Sequence, residues 1–263
     1  MSDPVLETEL LAVAREAARA SAAELMPRFR STAGHQIQAK SSPTDLVSEA
    51  DVAAEEAMRR VLGERRRQDA ILGEEGGATG QGALRWVIDP LDGTTNFLFG
   101  VPQFAVSVAC EDAGGVLAGV VLDPVRDECF SATRSGPAQL DGEPLTSPLR
   151  DRLATSLVAT GFGYESGVRA RQAVVLARVL PRVRDIRRAG AAALDLCWTA
   201  AGRYDAFYER GLKPWDHAAG GLICARAGLE LRPLPADGED PEGVLAAPPA
   251  LVDELLGLVL GSG

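Results

Sequence analysis

Two aspartates three residues apart, with a proline between them, open the segment Asp89-Pro90-Leu91-Asp92-Gly93-Thr94-Thr95-Asn96-Phe97. Carboxylates so spaced around a proline-fixed turn can point to one side, and the Leu91 carbonyl between them can add a neutral oxygen. Hard cations such as magnesium take oxygen ligands of this kind. Gly93, Thr94 and Thr95 suit the opening of a short helical turn, whose backbone N–H groups favour a phosphate. The Thr94 hydroxyl could orient a water or donate to a phosphate oxygen. One turn could therefore hold both metal and phosphate. The same residues also read as a plain tight turn after a strand, since Asp, Pro and Gly are turn formers.

Other acids stand where they could join this group. Glu74 follows Gly73 at the end of a short apolar run. Glu74 and Glu75 read equally as a solvated acidic loop, and for Glu75 that reading is preferred. Asp216, in Lys213-Pro214-Trp215-Asp216-His217, reads first as an N-cap at the start of an apolar helix. Capping would leave it already oriented for metal binding. Asp51 falls within a helical stretch and by itself reads as a surface acid. His217 adjoins Asp216, and a passive role is favoured for it.

The elements that must position these residues follow from periodicity. Apolar residues at helical spacing predict a long helix over 5–29. Residues 31–44 are polar and predict a loop or hairpin, with Thr44 or Asp45 capping a second helix to about residue 66. Strands are expected at 70–73 and 84–88, the latter stopped by Asp89-Pro90. Runs at 104–110, 115–122 and 128–132 predict an antiparallel sheet, with turns at Gly114-Gly115 and Asp123-Pro124. Beyond 145, strands at 156–160, 183–186 and 204–208 alternate with helices at 168–180, 191–201 and 215–227, and a last helix covers 251–260. That alternation suggests a layered α/β half. The expected division is an N-terminal α+β subdomain over 1–145, holding most of the acids, and a C-terminal α/β subdomain over 146–263, in one compact unit.

Composition narrows the function. The chain has 263 residues, 46% hydrophobic and 24% charged, as in an ordinary globular enzyme. Its 27 basic against 37 acidic side chains give a net charge of −10, which disfavours nucleic-acid phosphates as a partner. No run approaches the ~20 apolar residues of a membrane span. The start lacks a basic n-region, so a secretory leader is not expected and the cytoplasm is. Four cysteines without a CxxC pair read as reduced and mostly buried, and two histidines cannot build a His-rich zinc site.

Taken in order, Gly73-Glu74-Glu75, the Asp89-to-Phe97 segment and Trp215-Asp216-His217-Ala218-Ala219-Gly220 resemble the motifs of the inositol monophosphatase family. Asp45-Leu46-Val47-Ser48-Glu49-Ala50-Asp51 is similar to its N-terminal element. Arg188-Ala189-Gly190-Ala191-Ala192-Ala193-Leu194-Asp195 and Ala201-Gly202-Arg203-Tyr204-Asp205-Ala206-Phe207-Tyr208-Glu209 resemble the stretch before its last motif.

The resemblance implies a layered αβαβα sandwich, of the type shared with fructose-1,6-bisphosphatase, and hydrolysis of a small phosphate monoester. It implies two or three magnesium ions, with manganese as a possible substitute and lithium as an inhibitor. Their ligands would be Glu74, Asp89, the Leu91 carbonyl, Asp92 and Asp216. Asp51 would act through water on a further metal position, and Glu74 and Thr94 would prepare the attacking water. Gly93 and Thr94 would contact phosphate, while Gly190, Ala191, Ala192, Glu209 and Asp216 would line the pocket for the alcohol. Attack in line, without a phosphoenzyme, is the expected course, and a homodimer the expected assembly. Ala191 departs from the Ser or Thr common at its position, which removes a hydroxyl from the substrate side. Inositol monophosphate is the leading substrate. Histidinol phosphate, fructose 1,6-bisphosphate and 3′-phosphoadenosine 5′-phosphate are the alternatives within the same chemistry. A non-catalytic regulator acting through RNA or the transcription machinery is the alternative outside it.

Overall fold

The structure, a computed structural model, describes residues 3–29, 37–39 and 46–261. In chain order the elements are α1 (Pro4–Phe29), β1 (Ile37–Ala39), β2 (Leu46–Ser48), α2 (Glu49–Arg65), β3 (Ala70–Gly73), β4 (Gly77–Thr79), β5 (Arg85–Asp92), α3 (Thr94–Leu98), β6 (Ala105–Asp112), β7 (Gly115–Asp123), β8 (Glu128–Thr133), β9 (Ala138–Leu140) and β10 (Glu143–Leu145). They continue as β11 (Leu157–Thr160), α4 (Ser166–Val179), β12 (Asp185–Arg187), α5 (Ala192–Ala200), β13 (Ala206–Arg210), α6 (Pro214–Arg226), β14 (Glu230–Leu234), β15 (Gly243–Ala247) and α7 (Val252–Leu260). Thr44, Asp45 and most of the expected loop or hairpin at 31–44 lie outside the described residues. The cap that α2 shows is Ser48.

Strand periodicity explains the layering. Along β5, Trp86 and Ile88 pack with α1 and α2, while Val87 between them packs with α5 and α6. Ala105 and Ala109 of β6 face α5 and α6, and Val106, Val108 and Cys110 face the other way. The eight-stranded sheet, ordered β10-β9-β8-β7-β6-β5-β3-β4, is therefore covered on both faces. The five-stranded sheet, ordered β12-β11-β13-β15-β14, repeats the logic: Phe207 faces α5 and α6, whereas Ala206 and Tyr208 face the side of α4 and α7. The result is the expected αβαβα sandwich, with α5 and α6 as the shared middle layer. Among the described residues no helix is long and apolar enough to cross a membrane.

Two expectations about strands are corrected. β5 does not stop at Asp89-Pro90 but runs through to Asp92. Asp89 pairs with Ser107 and Asp92 with Ala105, so β5 carries one extra residue there, a β-bulge. The bulge absorbs the missing N–H of Pro90. It also has a chemical consequence. In a regular strand residues i and i+3 face opposite sides; the extra residue brings Asp89 and Asp92 to one cleft. The second sheet is mixed: β12, β11 and β13 are parallel, but β15 and β14 are antiparallel strands that follow α6 and were not expected.

Candidate active site

The bulge at the end of β5 opens a cleft of about 570 Å³. Its lining includes Glu74, Asp89, Leu91, Asp92, Gly93, Thr94 and Asp216. Four carboxylates, from the turn after β3, from β5 twice and from the first turn of α6, thus border one space. Among the described residues no three His, Cys, Asp or Glu side chains are drawn tightly enough to close around one ion by themselves. The acids line the cleft as a spaced ring.

Each acid is held by backbone donors. Leu91 N–H donates to Asp89 Oδ1 at 2.9 Å, the Asx turn that an Asp-Pro-Leu sequence favours. Ala192 and Ala193 N–H donate to the two carboxylate oxygens of Asp92 at 3.0 and 2.8 Å. These are the first free N–H groups of α5, whose own cap residue, Ala191, supplies no side-chain bond. Asp92 therefore caps α5 from a hundred residues away. Asp216 is not the N-cap it reads as in the sequence: the helix opens two residues earlier, Lys213 is its N-cap, and Asp216, at the third helical position, accepts from the Lys213 N–H at 2.6 Å while still lining the cleft.

The electrostatics reflect this crowding. Burial, then the charges of Glu74, Asp92 and Asp216, hold the Asp89 carboxyl well above its usual range. Burial and Glu74 push Asp92 up to about 7 against its helix-end bonds. Burial and Asp92 push Asp216 up to about 8. Carboxylates with no counter-charge among themselves resist ionisation together. A set made only of oxygen donors, in which Asp92 and Asp216 are pushed up to about 7 and about 8, suits a hard divalent cation, which would replace their protons. Glu74, Asp89, Asp92 and Asp216, with the Leu91 carbonyl, are the residues that could hold it.

Asp51 corrects its reading as a surface acid: it is 1% exposed. Ser48 donates to Asp51 Oδ2 through its N–H at 2.9 Å and its hydroxyl at 2.6 Å, and Thr94 Oγ1 stands 2.9 Å from Asp51 Oδ1. The Thr94 hydroxyl also lies 3.1 Å from the Leu91 carbonyl. Gly93 takes the left-handed conformation, φ 97°, at the start of the five-residue α3. A side chain there would meet the Gln103 carbonyl at 3.0 Å.

The alcohol side is divided. Gly190, Ala192, Glu209 and Asp216 line a smaller recess of about 180 Å³ that shares Asp92 and Gly93 with the main cleft. Ala191 does not line it; it is wholly buried, its Cβ close behind Gly93. Burial, then Asp195, Asp216 and Asp92, raise Glu209 well above the ordinary carboxyl range. His217 forms no part of either lining, and burial lowers its pKa.

Sequence reasoning gave no role to three residues that shape the site. Asn96 donates to the Gln103 and Ala189 carbonyls at 2.7 and 2.9 Å, tying the bulge loop to the 188–190 wall. Arg188 lines the recess. Glu55 braces the turn of Glu74. Glu55 stands one helical turn after Asp51, and that spacing was a usable signal.

The sequence matches the inositol monophosphatase family over residues 6–259. It is 46% identical over 231 residues to the inositol-1-monophosphatase of Mycobacterium bovis, covering 84% of this chain and 80% of that one. It is also 46% identical over 232 residues to the Nus factor SuhB of Pseudomonas aeruginosa, covering 83% of each. The crystal structure of the extragenic suppressor protein suhB from Bartonella henselae superposes with a TM-score of 0.87 at 34% identity, over 95% of this chain and 98% of that one. Metal binding is typical of the proteins so matched. The chain belongs to the inositol monophosphatase family, and with it to the phosphoric monoester hydrolases.

Proposed function

We propose that the protein hydrolyses inositol monophosphate with magnesium, by direct attack of water on phosphorus. The observation that carries this reading is the meeting of Glu74, Asp89, Asp92 and Asp216 at one cleft beside a hydroxyl, Thr94, already engaged by a buried carboxylate. Magnesium, when bound, would neutralise the dianionic ester, raise the acidity of water and stabilise the leaving oxygen.

The chain's own residues supply the rest. Glu74, Asp89, Asp92 and Asp216 with the Leu91 carbonyl would hold the ions. Thr94 would accept or pass on a proton from the attacking water while Asp51 fixes its hydroxyl. Gly93, with no side chain, leaves its N–H and that of Thr94 free of crowding for a phosphate oxygen. Glu209, whose carboxyl burial and neighbouring acids raise well above the ordinary range, would meet polyol hydroxyls in the recess. Water would be oriented at the bulge and the alcohol released toward the recess.

The test is phosphate release by the purified protein from inositol 1-phosphate, histidinol phosphate, fructose 1,6-bisphosphate and 3′-phosphoadenosine 5′-phosphate, with magnesium and with EDTA. The expected result is magnesium-dependent release, fastest from the inositol ester, and its loss in Asp89→Asn. A faster bisphosphate or nucleotide would keep the chemistry and change the substrate. The likeness to a Nus factor supports one other reading, a regulator of transcription. RNA binding without release from any ester would favour it; the intact ring of acids supports the hydrolase.

A further inference from the structure

Glu74 is the one proposed ligand carried by a turn rather than by a strand or helix. It lies between β3 and β4, in Gly73-Glu74-Glu75-Gly76-Gly77. The turn is not left to itself. Glu55, on α2, accepts from Glu75 N–H at 2.7 Å through Oε2 and from Gly76 N–H at 2.8 Å through Oε1. Arg59, one turn further along α2, donates from Nε to Glu55 Oε1 at 2.7 Å. Its other nitrogens reach the Gly77 carbonyl at 2.7 Å and the Thr79 hydroxyl at 2.9 Å. Glu55 is only 2% exposed, so water cannot replace these bonds.

The glycines on either side fit the same device. A Cβ on Gly73 would lie 2.5 Å from Glu55 Oε1, and one on Gly76 would lie 2.7 Å from it. Both positions must lack side chains for the Glu55 carboxylate to reach the backbone. α2 therefore presents two buried acids one turn apart: Asp51 fixes Thr94, and Glu55 with Arg59 fixes the backbone immediately after Glu74 while Gly73 before it lies close against the Glu55 carboxylate.

We infer that Glu55 and Arg59 are positioning residues for metal binding, holding the Glu74 turn so that its carboxylate stands ready at the cleft. The inference rests on the reading of Glu74 as a metal ligand. Outer groups that orient a ligand set its affinity, and their loss costs about 10- to 100-fold. In Glu55→Gln one N–H of the turn faces an amide N–H instead of an oxygen. Gly76→Ala displaces the same carboxylate without altering any charge.

The experiment is calorimetric titration of the full chain with Mg2+, repeated with Mn2+ and its electron paramagnetic signal, below the unfolding range of every variant. Both variants are expected to bind metal about tenfold or more weakly, with their KM for the phosphate ester at saturating metal close to that of the parent. Parent-like metal affinity in either folded variant would overturn the inference, since a brace that only stabilises the β3–β4 hairpin would lower the melting temperature and leave affinity alone. Should one variant fail to fold, the other decides. Failure of the parent chain to bind either metal would instead overturn the reading of Glu74 on which the inference stands.

Discussion

The Thr94 hydroxyl lies 2.9 Å from a carboxylate oxygen of Asp51, forty-three residues earlier in the chain, and Asp51 is buried. The pair works as a unit, because the hydroxyl has one proton and Asp51 decides where it points. Thr94→Val and Asp51→Asn are each expected to lower kcat by about 10² or more, the range of one proton-transfer group. The double variant should be little worse than either single one. Steady-state kinetics of the four proteins checks this; losses that multiply would show the two residues act separately. Asp51→Asn should also cost roughly 1 kcal/mol of stability, since Asp51 shares the capping of α2 with Ser48.

A pH dependence follows from the ring of acids. Asp92 and Asp216 titrate near 7 and 8 in the folded chain, and near 4 when unfolded. Between those values the folded state binds more protons than the unfolded one. The stability of the metal-free protein should therefore fall as pH rises from about 5 to 9. Magnesium would remove that slope by taking the place of the protons. Melting in EDTA across this range should show the decline, and the gain in melting temperature on adding magnesium should be larger at pH 8.5 than at pH 5.5. A metal-free melting temperature that climbs through this range would contradict the assignment.

How much of this was legible in the sequence depended on whether a signal was local. α1, α2, α5, α6 and the meander β6–β8 follow from periodicity and turn residues. The acid pair at 89 and 92 was visible as residue types, but the reason it converges, a bulge at Pro90, required the register against Ser107 and Ala105. β14 carries Pro233 and alternates poorly, and it is tolerated because it forms an edge of the second sheet. Asp51 read as a surface acid because nothing local shows that β5 and α3 cover it. The capping of α5 by Asp92 was invisible for the same reason: donor and acceptor are paired only in space.

That long-range cap changes what Ala191→Ser should do. Serine at an empty N-cap ordinarily stabilises a helix by about 0.5–2 kcal/mol. Here the leading N–H groups of α5 already donate to Asp92, so the substitution should gain less than about 0.5 kcal/mol in the parent. In an Asp92→Ala background those donors are released, and the gain should return to about 1 kcal/mol. Urea unfolding of the four proteins measures the coupling. Equal gains in both backgrounds would mean that Asp92 is not the functional cap. Because Ala191 is buried behind Gly93, substrate preference should shift less than a pocket-lining position would make it.

α6 delivers Asp216 to the cleft from a fixed seat on the sheet. Its helix lies close on the eight-stranded sheet at Gly119 of β7: a Cβ there would stand 2.9 Å from the Ala219 Cα and 3.2 Å from its Cβ. One turn earlier, the Ser107 hydroxyl of β6 donates to the Trp215 carbonyl at 2.9 Å. The contact at Gly119 is backbone against small side chain, so it cannot be relieved by a rotamer change. Gly119→Ala must push α6 outward, at a cost of about 1–3 kcal/mol. Because Asp216 sits in the first turn of that helix and Asp92, Asp89 and Glu74 sit on or beside the sheet, the shift widens the ring on one side only. The expected signature is a weaker response to magnesium beyond the loss in melting temperature, whereas Ser107→Ala should show the smaller form of both. A Gly119→Ala protein that is destabilised yet responds to magnesium as the parent does would show that α6 pivots at this contact without moving Asp216.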